Sequence, residues 1–260
     1  MDTKFWGPSG WKFLHLITFS QATDSKASIR CFFETLPYVL PCKFCRKSLS
    51  EYMKEIPLET ALKSKEPAAI AKWLWKIHNC VNSKLRDQNL NSAATNPPFA
   101  SVKKLYTAKF AAGCTKTNFE GWEFLFSVVE NHPFSKGGLS GTAISGAPDP
   151  TVTDPADTLE LNRWNMLPAA KRQVFYEQFW ECLPAVLPYP EWKRVWDSCE
   201  KDWSSKQTAM KTLWGIRCSM ESALQLMNKT NYHSLCKELR THRSGCSKSA
   251  RARTCRKKRV

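Results

Sequence analysis

Leu40-Pro41-Cys42-Lys43-Phe44-Cys45 sets two cysteines three positions apart at a predicted helix start. One helical turn brings both sulfurs to the same end of the helix, where backbone N–H groups are unpaired and the macrodipole is positive. A thiolate is stabilised there and is therefore reactive. Pro41 suits the first helical position. The spacing alone fits three chemistries: a redox dithiol, half of a zinc site, or two small buried hydrophobes. A second Cys-x-x-Cys would favour zinc, and the sequence has none.

Outward from this pair the apolar residues recur at helical spacing. Ile29, Phe32, Phe33 and Leu36 stripe a predicted helix over 28–36, which Pro37 and Pro41 are expected to end. The dithiol helix is expected to run to about Lys54, ahead of Pro57. Pro67 opens the longest, to about Arg86, with Ile70, Trp73, Leu74, Ile77 and Val81 on one face. At the start of the chain, Trp6-Gly7-Pro8-Ser9-Gly10-Trp11 reads as a turn feeding a helix that carries Trp11, Leu14, His15 and Thr18. Four helices with short connections and no alternating pattern predict an all-α bundle. On its fourth helix His78 and Asn82 share a face, with Asn79 turned toward the bundle edge. Amide and imidazole groups beside tryptophans suit a large heteroaromatic ligand; a satisfied core histidine is the alternative these residues leave open.

The chain has 260 residues, 42% of them hydrophobic, enough for one large or two smaller domains. Two are expected. Eleven cysteines is an odd number, and residues 1–20 hold Asp2, Lys4 and a Pro-Ser-Gly turn instead of a signal-peptide core. No apolar run has the length of a membrane span. These features predict a soluble protein made in the cytoplasm, its cysteines kept for chemistry more than for scaffolding. The formal charge is +16, and nine of the 39 basic residues fall between Arg240 and Arg259. Such a tail fits contact with nucleic acid or an anionic surface, and equally a solvated end.

Three stretches together resemble the Erv/ALR-type FAD-linked sulfhydryl oxidases: Trp6-Gly7-Pro8-Ser9-Gly10-Trp11 with Leu14-His15, Pro41-Cys42-Lys43-Phe44-Cys45, and Trp73 with His78-Asn79-Cys80-Val81-Asn82-Ser83-Lys84-Leu85. Their order and separation match over about residues 5–105, and the extended length resembles the branch encoded by large DNA viruses. The resemblance implies a four-helix cradle with a fifth short helix, FAD at one end and Cys42 and Cys45 beside the flavin. It implies cofactor contacts from Trp6, Gly7, Trp11, His15, His78, Asn79, Asn82 and Lys84, with Lys103 or Lys104 able to serve the phosphates. Leu40 stands where the family often has Tyr, and Leu85-Arg86-Asp87 where it has Leu-Gly-Lys. Ser101 stands where one cysteine of a common family disulfide falls, so the fold is expected to rest on packing.

The second half echoes the first. Gly121-Trp122-Glu123-Phe124-Leu125 repeats Gly10-Trp11-Lys12-Phe13-Leu14, Phe179 to Pro188 repeats Phe32 to Pro41, and Leu213-Trp214-Gly215-Ile216 repeats Leu74-Trp75-Lys76-Ile77. The chemistry is lost: Tyr189 and Trp192 stand for Cys42 and Cys45, Phe126 for His15, and Arg217, Cys218 and Glu221 for His78, Asn79 and Asn82. The expected organisation is an oxidase domain over 1–112, a degenerate helical domain over 118–242 with 133–158 as an inserted loop, and a basic flexible tail over 243–260. The two bundles would form an intramolecular pseudo-dimer.

The expected function is an enzyme that forms disulfides in thiol-bearing client proteins. Electrons would pass from Cys42, expected as the more accessible sulfur, and Cys45 through FAD to oxygen, releasing peroxide. Cys246 and Cys255 are the expected shuttle, with Cys236 or Cys199 in reserve; Cys31, Cys80, Cys114, Cys182 and Cys218 are expected as buried thiols. No metal is expected. A homodimer through either bundle and a location in host cytoplasm or virion accord with the resemblance. The alternative is a basic nucleic-acid-binding or virion packaging protein with a structural dithiol.

Overall fold

The computed structural model describes residues 1–20, 26–90, 94–135, 142–148 and 157–243. Among the described residues it is all-α, with twelve helices and no strand. The first half holds α1 (Thr3–Phe19), α2 (Lys26–Val39), α3 (Lys43–Glu55), α4 (Leu58–Lys63), α5 (Ala69–Asp87) and α6 (Phe99–Ala111). The second holds α7 (Trp122–Glu130), α8 (Thr158–Arg163), α9 (Ala169–Val186), α10 (Pro190–Asp197), α11 (Lys206–Ala223) and α12 (Tyr232–His242). None of these helices is long and apolar enough to cross a membrane.

Proline punctuation differs from expectation in three places. The Trp6–Trp11 stretch lies inside α1, which Asp2 caps by accepting from the Lys4 N–H at 3.0 Å. Pro8 is tolerated there because the carbonyl it leaves without a donor belongs to Lys4, which is exposed and can be hydrated. Pro37 does not end α2, which continues to Val39; the Pro37 carbonyl accepts from Asn162 Nδ2 of α8 at 2.7 Å. Pro41 stands one residue before the cap and not at the first helical position. Cys42 is the N-cap of α3, extended at φ −138° and ψ 122°. The short α4, after Pro57, was not anticipated.

One hydrophobic core runs through both halves. Helix α1 packs on α7 and α2 along α9. Gly10 lets α1 approach α7 closely: a Cβ there would sit 3.2 Å from the Phe124 ring. Gly121 makes the reciprocal contact, since its Cβ would meet Phe13 at 2.9 Å and Phe119 at 2.8 Å. Phe32 and Phe179 stack across the same seam, centroids 5.2 Å apart. Within each half the order of packing is alike: α1 on α5, α2 on α3 and α3 on α5; then α7 on α11, α9 on α10 and α10 on α11.

The seam is also covalent. Cys31 of α2 and Cys182 of α9 form a disulfide with Cα atoms 6.0 Å apart. This corrects the expectation of buried thiols at both positions, and of a fold held by packing alone. The pairing spans 151 residues and becomes possible only once α2 lies along α9, so no local spacing reveals it. Cys218 is exposed, not buried. Cys114 is buried, and burial beside Glu191 pushes its thiol up to about 11. Cys246 and Cys255 lie outside the described residues, as do 244–260 of the expected tail and 136–141 and 149–156 of the expected loop.

Candidate functional site

Helices α1 and α3 each pack against α5, and the three present most of the predicted site residues. Cys42 caps α3 and Cys45 sits in its first turn, its N–H bonding the Cys42 carbonyl at 3.0 Å. Cys42 is 3% exposed and Cys45 half-buried, the reverse of the expected order of accessibility. Cys42 belongs to the hydrophobic core, and the turn before it is pinned: the Met1 amine donates to the Pro41 carbonyl at 3.4 Å, and Arg46 Nη1 donates to the Leu40 carbonyl at 3.0 Å. Cys42 nonetheless lines a cleft of about 810 Å³ that the second half closes on its other side.

Arg46 was not foreseen. It is buried directly after the dithiol, with Nη2 donating to Asn165 Oδ1 at 2.6 Å and Nε lacking any partner. Burial pulls its guanidinium down to about 10, nearby Arg172 pulls the same way, and Cys42 and Cys45 pull it back up. Helical spacing was the signal the sequence carried, since it places Arg46 on the face of Cys42; the structure buries that face at Cys42, Arg46 and Ser50.

On α1 and α5 the imidazoles meet. His15 Nε2 and His78 Nδ1 are 3.0 Å apart, sharing one proton in whichever tautomer holds. The Trp11 ring stacks on His78, centroids 4.0 Å apart and 9° from parallel. Tyr106 of α6, not anticipated from sequence, packs 5.3 Å from His15. Burial, then His78, pushes His15 down to about 3; burial pushes His78 down to about 4. Both rings are therefore neutral near pH 7, and His15 Nδ1 is buried without a hydrogen-bond partner. A buried ring nitrogen awaiting a partner, with an indole stacked on the adjacent imidazole, fits a planar ligand carrying edge donors and acceptors.

The other predicted residues spread outward from this stack. Lys84 bonds Ser48 Oγ of α3, and Asn82 Nδ2 donates to the Thr95 carbonyl at 2.8 Å, which turns it to the α5–α6 connection and away from His78. Asn79 is half-buried on α5 and Lys103 exposed on α6. Gly7 has open space where a Cβ would stand. Trp6 is buried against Phe124 of the second half, centroids 6.0 Å apart, and is not part of the Trp11–His15–His78 cluster. Among the described residues no group of three or more His, Cys, Asp or Glu side chains could hold a metal ion.

In the second half Arg217 lies over Trp122, 5.3 Å from its ring, as His78 lies over Trp11. Its Nε donates to Glu221 Oε1 at 2.6 Å and its Nη2 to the Asn228 carbonyl at 2.8 Å. The Asn228 side chain grips the backbone of Phe119 from both sides, and Phe119 stacks on Trp122 at 4.1 Å. Trp192 packs 4.6 Å from Phe119. That face is filled by the chain's own side chains.

Residues 8–104 match the Erv1/Alr family. A protein of Acanthamoeba polyphaga mimivirus named as an FAD-linked sulfhydryl oxidase is 33% identical over 87 residues, 32% of this chain and 59% of that protein. The mitochondrial FAD-linked sulfhydryl oxidase ERV1 of Saccharomyces cerevisiae is 30% identical over 89 residues, 33% of this chain and 45% of the yeast protein. A protein of Invertebrate iridescent virus 6, also named as an FAD-linked sulfhydryl oxidase, is 32% identical over 94 residues, 33% of this chain and 83% of its own length. The chain thus spans about half the length of the first two relatives. No solved structure matches it.

Proposed function

Because this chain belongs to the Erv1/Alr family, we propose that it is an FAD-linked thiol oxidase whose first half carries the chemistry. The observation that carries the proposal is the Trp11–His78–His15 stack, with its unsatisfied ring nitrogen, built on α1 and on α5, which also packs against the dithiol helix. Trp11, His15 and His78 would hold FAD, with Asn79, Lys84 and Lys103 as outer contacts. Bound FAD would supply the two-electron chemistry that returns the dithiol to a disulfide, with oxygen as acceptor and peroxide as product.

The chain's own residues govern the exchange. A client thiolate attacks Cys42 Sγ of a Cys42–Cys45 disulfide, and Cys45 leaves as a thiolate at the positive end of α3. A second client thiolate then displaces Cys42, so the client gains one disulfide and the pair gains two electrons. The buried Arg46 guanidinium favours negative charge on either sulfur. Neutral His15 and His78 orient by hydrogen bonding.

The second half is proposed as a degenerate copy that completes a pseudo-dimer. Support comes from the reciprocal Gly10–Phe124 and Gly121–Phe13 contacts, as a two-fold relation demands. Tyr189 caps α10 with the same extended backbone that Cys42 has at α3. Phe119 and Trp192 occupy the face where a second cofactor would lie, so one flavin per chain is expected. Cys246 and Cys255 remain the proposed relay: Arg243, at the cleft rim, lies three residues before Cys246. A Cys246→Ser, Cys255→Ser double variant should oxidise dithiothreitol normally and a protein client slowly. The nucleic-acid alternative leaves the dithiol and the imidazole stack without a task.

The test is direct. Purified protein should absorb as a flavoprotein and release peroxide with dithiothreitol, and Cys45→Ser should keep the flavin and lose turnover. Colourless protein that refuses FAD would end the proposal.

A further inference from the structure

The cleft that Cys42 lines is built by both halves. Pro41, Cys42, Lys43 and Arg46 come from the first; the second supplies residues 130–132, 134–135, 142, 204–207 and Arg243. Four cationic side chains line it, Lys43, Arg46, Lys206 and Arg243, against one carboxylate, Glu130. Glu130 is already engaged, by Lys206 at 2.8 Å and Arg243 at 3.0 Å. His132 adds no charge: its Nδ1 accepts from the Phe134 N–H at 3.2 Å, and Nε2 faces the Trp203 carbonyl at 3.2 Å, which fixes the neutral ring. Phe134, 52% exposed, offers an apolar contact among these charges. The cleft is therefore net positive, polar-walled and reaches Cys42.

We propose that this cleft docks cysteine-bearing segments flanked by acidic side chains, the degenerate half serving as the wall that selects them. The proposal rests on the thiol-oxidase reading and adds the substrate class. Charge complementarity names the occupant: carboxylates flanking the client cysteine meet Lys43, Lys206 and Arg243 while the thiol reaches Cys42.

The test compares two synthetic dithiol peptides, identical except for Glu or Lys at the flanking positions, as substrates of the full-length FAD-loaded protein. Oxygen consumption is followed at low and high salt, with dithiothreitol as a separate substrate. The Glu-flanked peptide should lead in kcat/KM by about tenfold at low ionic strength, and the gap should close near 0.5 M salt as screening sets in. Gln207, exposed on the first turn of α11 and lining the cleft, allows a charge to be placed without breaking the Glu130 ion pairs. Gln207→Glu suits a helix N-terminus and should fold; it should narrow the preference by about threefold, and Gln207→Lys should widen it. Equal rates for the two peptides, or a preference that the Gln207 variants leave unchanged, would overturn the proposal. So would a Lys-flanked preference, or displacement of both peptides alike by a single-stranded oligonucleotide. Failure to oxidise dithiothreitol sinks the oxidase reading instead, so the two failures are told apart.

Discussion

Replacing Cys31 and Cys182 together by Ala should cost this chain a large share of its stability while leaving its native contacts nearly intact. The disulfide closes a loop with a sequence separation of 151, and for that length the chain-entropy relation gives about 5 kcal/mol at 25 °C. That is an upper value, because the broad α2–α9 seam favours residual contact in the unfolded chain. With a guanidinium m-value of about 5 kcal/mol/M, the unfolding midpoint should fall by about 1 M, and by no less than half that if residual structure absorbs part of the effect. Eleven tryptophans, six of them in the buried core, make intrinsic fluorescence a sufficient probe. Parent and variant are compared at equal saturating FAD, so that ligand binding shifts both alike. The reasoning is refuted if the midpoints agree within about 0.2 M, or if both cysteines of the unreduced parent take up an alkylating agent.

Three further outcomes follow from packing and charge. Gly121→Ala forces a methyl against Phe13 and Phe119 and should destabilise by about 1–3 kcal/mol, with Gly10→Ala costing less; thermal melts of the pair decide it. Arg217→Met strands the Glu221 carboxylate in the core and should cost about 3–5 kcal/mol, whereas Arg217→Met with Glu221→Leu should recover most of that; a double-mutant cycle in which the losses simply add would contradict it. Burial holds His15 and His78 below their ordinary value of 6.5, so the unfolded chain binds protons that the folded chain does not. Their contribution to stability is whole above pH 6.5 and is lost as pH falls toward 4 and then 3. Melting temperatures from pH 7 to 4.5 should drop less steeply in His78→Gln than in the parent, and matching slopes would exclude the pair as the source.

What was legible in the sequence was whatever a short period encodes. Cys42 and Cys45 fall at a helix start because Pro41 and the preceding apolar stripe mark it, and Trp11, His15 and His78 meet because their helices each show one apolar face. Proline misled at Pro8, whose orphaned Lys4 carbonyl belongs to an exposed residue, and at Pro37, whose own carbonyl, which Pro41 has no N–H to serve, accepts from Asn162, a partner 125 residues away. The Cys31–Cys182 bond and the cleft walls depend on how two halves dock, which no local pattern carries. Asn82 shows the limit within a motif: helical spacing gave its face, but the Thr95 carbonyl decided where its amide points. Arg46 stands one turn after Cys42 on the same face, but charged residues seldom lie inside, and its burial shows only in the packed molecule.

The reciprocal glycine contacts have a bearing on dilution. A face of this kind, left bare, must find a second molecule, and its occupancy then falls as protein becomes scarce. Here the complementary face is tethered to the same polypeptide, and the thiol link between helices keeps it there. Scarcity therefore does not unmake the bundle: a single copy, newly released from a ribosome, already owns the surface its first half leans on.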